Sequence, residues 1–150
     1  MLYSSACENA IRAMTFLAQR PAERRTPLAE IAAAEDLPHP FLGKVLGRLV
    51  RAGLLRSARG PMGGFVLARP ASEISLLDIR AALDGTEDLE ACAVGLDPCS
   101  DETPCPLHET WKSLRTALKE YLKRTTLADM AEGVARKRAL IAAKQGADRA

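Results

Sequence analysis

Over the 21 residues from Thr86 to Pro106, the apolar periodicity of this 150-residue chain stops. The stretch holds Cys92, Cys99 and Cys105 among Asp, Glu, Gly and Pro, and nothing in it can build a core. A connector of that length without structure of its own is uncommon inside a small protein, so function or a bound ligand must order it. The chain therefore divides into a block over 1–85, a cysteine-bearing loop over 86–106, a helix over 107–133 and a basic tail over 134–150. Aromatics make up only 4% of the residues, so the core comes from Leu, Ala, Ile and Val, a mix that favours helices.

The first block carries three helical stripes. Ala10, Ile11, Met14, Leu17 and Ala18 mark a helix over 7–20, which Pro21 ends. Thr26 and Pro27 form a hydroxyl cap and a first-position proline for a short helix over 27–35. Asp36-Leu37-Pro38-His39-Pro40 makes a turn and a second start signal. Phe41, Leu42, Val45, Leu46, Leu49 and Val50 then share one face, with Gly53 as the stop. Two β-prone pieces, Leu54–Ser57 and Phe65–Ala68, flank Arg59-Gly60-Pro61-Met62-Gly63-Gly64, which predicts a hairpin with a flexible tip. A fourth helix runs from about Leu76 to Leu83. The expected architecture is mainly α: a winged helix-turn-helix with a small hairpin wing and a long C-terminal helix.

That order of elements points to double-stranded DNA. On the third helix, His39, Lys44, Arg48 and Arg51 lie off the apolar stripe, and Gly43 and Gly47 allow close backbone approach. Pro40 and Phe41 belong to its leading end. In the wing, Arg59 sits beside the amides of Gly60 and Gly63, a pairing that suits a phosphate or a narrow minor groove. Charge agrees with this division. Residues 1–80 carry 11 Lys and Arg against 7 Asp and Glu, residues 81–110 carry none against 8, and residues 111–150 carry 10 against 4. Two basic flanks surround one acidic insert, so one part suits a polyanion and the insert does something else.

Cys92, Cys99, Cys105 and His108 place three thiols and an imidazole within 17 residues. Soft thiolates suit an iron–sulfur cluster or zinc, and two of the cysteines could instead form a disulfide switch. Structural zinc accepts three cysteines and a histidine, but the usual Cys-x2-Cys knuckle is missing. Wide spacing suits a larger object such as a cluster. The carboxylates of Asp97, Asp101 and Glu102 disfavour bare thiolates and call for a compensating positive centre. Cys7, on the first helix, reads as a small core residue. Glu8 reads as a solvated carboxylate. A small iron–sulfur electron carrier is an alternative, though it leaves the winged helix unused. No nucleophile–base or acid–base spacing points to an enzyme.

Leu107, Trp111, Leu114, Leu118, Tyr121 and Thr125 recur at alternating steps of four and three, a seam built to pack on another helix. No apolar run reaches the roughly 18 residues of a membrane span. Glu8 and Arg12 interrupt the place where a signal peptide needs an apolar stretch, which points to a cytoplasmic protein with no membrane association.

Several runs resemble one family of bacterial winged-helix regulators, the Rrf2 family. They are Leu28 to Ala32 (LAEIA), Leu46 to Leu55 (LGRLVRAGLL), Arg59 to Ala68, Ile74 to Ile79 and Thr126 to Met130. The likeness covers about residues 1 to 132, and the RGxxGG wing with a three-cysteine loop after it is specific to the iron–sulfur branch that includes IscR, NsrR and RirA. The resemblance implies a homodimeric transcription regulator, most often a repressor. Its long helix, here about 107–125, crosses the partner's. Cys92, Cys99 and Cys105 match the cluster ligands. In one branch a histidine at the position of His108 completes the set, and in another an acidic residue of the other subunit does so, which Glu8 matches. Signals in the family include nitric oxide, iron or cluster status and redox state. Whether the cluster has two irons or four stays open, and zinc remains the alternative metal.

Overall fold

The computed structural model describes residues 2–96 and 98–147, the last of these by its backbone alone. Met1, Asp97 and residues 148–150 of the expected tail lie outside the described residues. Helix α1 (Ser5–Ala18) is the hub. Its Ala10, Ile11, Ala13, Met14, Phe16 and Leu17 are all buried, and it packs against the three helices that follow it and against the last one. Each large side chain there contributes on the order of 1.5–3 kcal/mol by leaving water. Ser4 caps the helix by accepting from the Cys7 N–H at 3.1 Å.

Helix α2 (Leu28–Glu35) and helix α3 (His39–Arg51) are joined by Asp36, which adopts φ 50, the left-handed conformation that Asp tolerates. Both begin on prolines, Pro27 and Pro38, without a side-chain cap. Thr26 is therefore not the cap its sequence suggests. It is fully buried and forms a bridge with Phe65, each residue's N–H donating to the other's carbonyl at 2.9 Å. A backbone ladder at the wing has taken the residue that local pattern assigned to a helix start. Helix α3 ends in a Schellman arrangement: Gly53 at φ 74, its N–H on the Val50 carbonyl and the Leu54 N–H on the Leu49 carbonyl, both at 3.0 Å.

The wing is an antiparallel pair, β1 (Leu55–Ala58) and β2 (Gly64–Leu67), with Leu55 opposite Leu67 and Ala58 opposite Gly64. The first strand starts one residue later than sequence suggests and the second one residue earlier. Helix α4 (Leu76–Leu83) opens on a capping box between Ser75 and Asp78.

The expected helix over 107–133 is divided. Helix α5 (His108–Arg124) ends at Thr125, and helix α6 (Leu127–Ala147) starts anew. The cause is a second capping box: Thr126 N–H donates to Asp129 at 2.8 Å, and Asp129 N–H donates to the Thr126 hydroxyl at 3.2 Å. Residues 134–147, expected as a frayed or mobile tail, continue α6. Arg138 of α6 reaches Glu35 at 3.0 Å, and Glu35 also pairs with Arg12 of α1 at 3.4 Å. The expected mainly α winged helix-turn-helix is present. No helix among the described residues is long and apolar enough to cross a membrane.

The wing depends on Gly64. It holds φ 138, and a Cβ there would stand 2.5 Å from the Thr26 carbonyl oxygen. Gly60, at φ 95 on the tip, faces open space. Gly64→Ala is expected to cost about 1–3 kcal/mol in urea unfolding and to loosen the Thr26 bridge. Gly60→Ala is expected to cost about 1 kcal/mol, the conformational penalty alone.

Candidate functional site: a nucleic-acid face and a thiol loop

The leading end of α3 is open. His39, Pro40, Phe41, Lys44 and Arg51 are exposed, as are Arg59 and Gly60 at the wing tip. Gly63 is half-buried, and a Cβ on it would fall 2.3 Å from the Ala58 carbonyl oxygen, so the tip turns tightly around it. Two expected contributors also serve the packing of the fold, Arg48 while remaining exposed. Arg48 donates to the Leu83 carbonyl at 2.7 Å and the Ala82 carbonyl at 3.3 Å, satisfying the last turn of α4. Gly43 faces Leu28, whose Cδ2 would be 3.2 Å from an added Cβ, so it serves the packing of α3 on α2.

The acidic loop is docked on basic side chains. Its entry lies along α5, where Trp111 donates to the Ala91 carbonyl at 2.9 Å and Arg115 to the Glu90 carbonyl at 2.7 Å. Lys119 pairs with the Glu90 carboxylate. Arg80, buried in α4, holds Asp88 at 2.5 Å and donates to the Gly85 and Leu2 carbonyls. Lys112 holds both oxygens of Asp101, at 2.6 and 2.7 Å. Lys112, followed by His108, lowers the Asp101 carboxyl below its usual range, as Arg80 does for Asp88 and Lys119 for Glu90. These pairings are complete at neutral pH and are lost only as pH falls through the lowered values. Part of the positive charge that the loop's carboxylates call for is thus supplied by the protein itself.

His108 opens α5 and is 3% exposed. One ring nitrogen, Nε2, lies 2.7 Å from Asp101 Oδ1, and the other, Nδ1, lies 3.4 Å from the Cys99 sulfur. With the proton on Nε2 donated to Asp101, the Nδ1 lone pair faces the thiol. A carboxylate that fixes one nitrogen while the other faces a ligand position is the usual support of a metal-binding histidine. Asp101 is the member of this group whose place on the ring the sequence did not reveal. Its spacing, seven residues before His108, carries no helical or strand signal.

Cys92 and Cys105 are half-buried on the same loop, and the Cys105 carbonyl accepts from the His108 N–H at 3.0 Å. Among the described residues, the three-donor group lying within 4.8 Å is Asp101, His108 and Glu109, not the three sulfurs. The donor set fits a thiophilic metal centre in kind, and one sulfur and the imidazole are already side by side. Cys7 belongs to the core, where burial pushes its thiol up to about 12. Glu8, in the first turn of α1, is exposed.

The family model described as "Rrf2: Iron-dependent Transcriptional regulator" matches residues 3–133. The chain is 32% identical over 130 residues to the HTH-type transcriptional regulator IscR of Serratia proteamaculans, covering 87% of this chain and 79% of that one. Among solved structures it is similar to CymR, the global cysteine regulator of B. subtilis, with a TM-score of 0.75, 31% identity and coverage of 86% and 95% of the two chains. It is also similar to T. potens IscR, with a TM-score of 0.70, 29% identity and coverage of 87% and 86%. With the winged fold and these relatives in hand, the chain belongs to the Rrf2 family, whose members are transcriptional regulators and not enzymes.

Proposed function

We propose that this regulator is a cytoplasmic homodimeric repressor that binds operator DNA and senses its signal through an iron–sulfur cluster on the 86–106 loop. The observation that carries this reading is the arrangement at His108: Asp101 on Nε2, the Cys99 sulfur facing Nδ1, and the ring placed at the first residue of α5. Cys92, Cys99, Cys105 and His108 are the holding residues, and this geometry favours His108 over the partner subunit's Glu8 as the fourth. When bound, a cluster supplies redox and ligand-exchange chemistry open to nitric oxide, iron supply or oxidants.

The chain's own residues connect the loop with the DNA face. Asp101 and Lys112 orient His108, while Trp111 and Arg115 fix the loop's entry on the same helix. The outer face of α5 exposes Leu107, Leu114 and Tyr121, an apolar seam suited to a second copy. At the far end, Leu76 N–H donates to the Thr125 carbonyl and Leu127 N–H to the Ile74 carbonyl, both at 2.9 Å, tying the α5–α6 junction to α4. Arg48 then ties the end of α4 to α3. A change in the loop shifts α5, and with it the spacing of two recognition helices that must meet half-sites about 34 Å apart.

Protein purified without oxygen is expected to contain iron and acid-labile sulfide. Cys99→Ala is expected to lose both, Cys7→Ala to keep both, and Asp101→Asn to bind iron about 10- to 100-fold more weakly. Iron and sulfide retained in full by Cys99→Ala would sink the reading. Zinc, or no metal in the wild type, would move it to a structural site or a thiol switch.

DNA binding gives a separate check. Lys44→Ala and Arg59→Ala are each expected to lower the slope of log affinity against log salt by about 1. Arg48→Ala is expected to leave that slope unchanged, because its guanidinium is committed to α4.

A further inference from the structure

A cleft of about 290 Å³ opens at the base of the wing, between the end of α1 with the segment after it and the face of the hairpin that carries Arg56 and Val66. Its volume is near the lower end of the roughly 300–1,000 Å³ typical of ligand pockets. Leu17, Val66 and Pro70 give it an apolar wall. Arg20, Arg24, Arg56 and Arg69 stand around that wall, with Glu23 the one carboxylate among the lining residues.

These arginines are not equally committed. Arg24 is held by both oxygens of Glu30, at 3.0 and 3.1 Å, and Arg69 reaches Asp78 only at 3.9 Å. Arg56 makes no ion pair among the described residues. Arg20 stacks on the Phe16 ring, 4.2 Å from its centre, and approaches Glu30 at 3.6 Å. Its Nε is buried and has no acceptor. The Arg20 side chain itself lines the cleft and is one-third exposed. Neither Glu30 nor Asp78 lines the cavity, so the charge facing it is predominantly positive.

We propose that this cleft binds a small amphiphilic anion, an oxyanion head carried on a compact apolar body. The head takes the free donors of Arg56, in the forked geometry that guanidinium offers carboxylates and phosphates, with the exposed part of the Arg20 guanidinium adding positive charge beside it. The body lies on Leu17, Val66 and Pro70. Such a ligand spans the end of α1 and both wing strands, holding the wing against the helical core. The site is remote in sequence from the cysteine loop and stands or falls independently of any cluster.

Calorimetric titration of the full chain with phenyl phosphate, benzoate, benzyl alcohol and inorganic phosphate tests this. The two aromatic anions are expected to bind, benzyl alcohol is not, and inorganic phosphate is expected to bind at least tenfold more weakly than phenyl phosphate. Arg56→Gln, at an exposed strand position, is expected to lower phenyl phosphate affinity about tenfold. Ala68→Leu, which fills the cleft, is expected to abolish binding, with circular dichroism confirming that both variants are folded. Unchanged affinity in both folded variants would overturn the proposal. So would equal affinity for inorganic and phenyl phosphate, which marks a basic patch without an apolar subsite. Absence of anion binding, with Arg56→Gln lowering the salt slope for duplex DNA by about 1, would overturn it in favour of a DNA-backbone contact.

Discussion

Two capping boxes placed against each other hold the molecule together. Ser75 with Asp78 starts α4, Thr126 with Asp129 starts α6, and the two caps pair as an isolated bridge. A capping residue has extended backbone, so its neighbours' N–H and carbonyl groups are free to act like those of a strand. Here the freed groups find each other, through the bonds between Leu76 and Thr125 and between Leu127 and Ile74. Breaking the C-terminal helix at this point exposes backbone groups that the bridge then satisfies. Fully buried Leu76, Ile74, Leu122 and Leu127 surround it. The junction is therefore a fixed pivot, from which α5 leads back to the cysteine loop and α6 runs over α1.

On the far side of that pivot the balance is different. The 86–106 loop contributes Leu89 to the core, and its other attachments are backbone contacts and ion pairs that, buried Arg80 apart, lie towards the surface. Ion pairs of that exposure hold weakly and are screened by salt. Low-stability segments are where switching elements are found, because they open without cost to the fold. His108 is buried as well, and is bonded on both ring nitrogens, to the Asp101 carboxylate and the Cys99 sulfur. Its buried anchors are thus Leu89, the hold of Arg80 on Asp88, and His108, the residue that joins the loop to α5.

Much of this was legible in the sequence. The stripes of α1 and α3, the Gly53 stop, the span of α4 and the glycine-rich tip follow from periodicity and local backbone chemistry, and the wing strands lie within one residue of their expected positions. Thr26 was misplaced because a strand bridge to Phe65, 39 residues away, outweighs a local cap. A helical wheel shows Arg48 and Gly43 off the apolar stripe, but only tertiary structure shows that exposed Arg48 also bonds the end of α4 and that Gly43 packs on α2. The Thr126 capping box carries the same S/T-x-x-D signal as Ser75. The apolar seam running through Tyr121 to Thr125 concealed it, since a heptad stripe reads as one continuous helix. Asp101 was visible as charge and invisible as a partner of His108, because loop geometry has no period.

The acidic insert is held at its entry by the protein's own cations and is less covered at its centre. Arg80, Lys112 and Lys119 neutralise Asp88, Asp101 and Glu90 one by one, each from a helix whose position the core already fixes. No such pairing involves Glu102 among the described residues, and the exposed Val94 and Leu96 lie between the first two loop cysteines without cover. Leaving such side chains in water is unfavourable, and either a rearranged loop or a second copy of the chain would bury them.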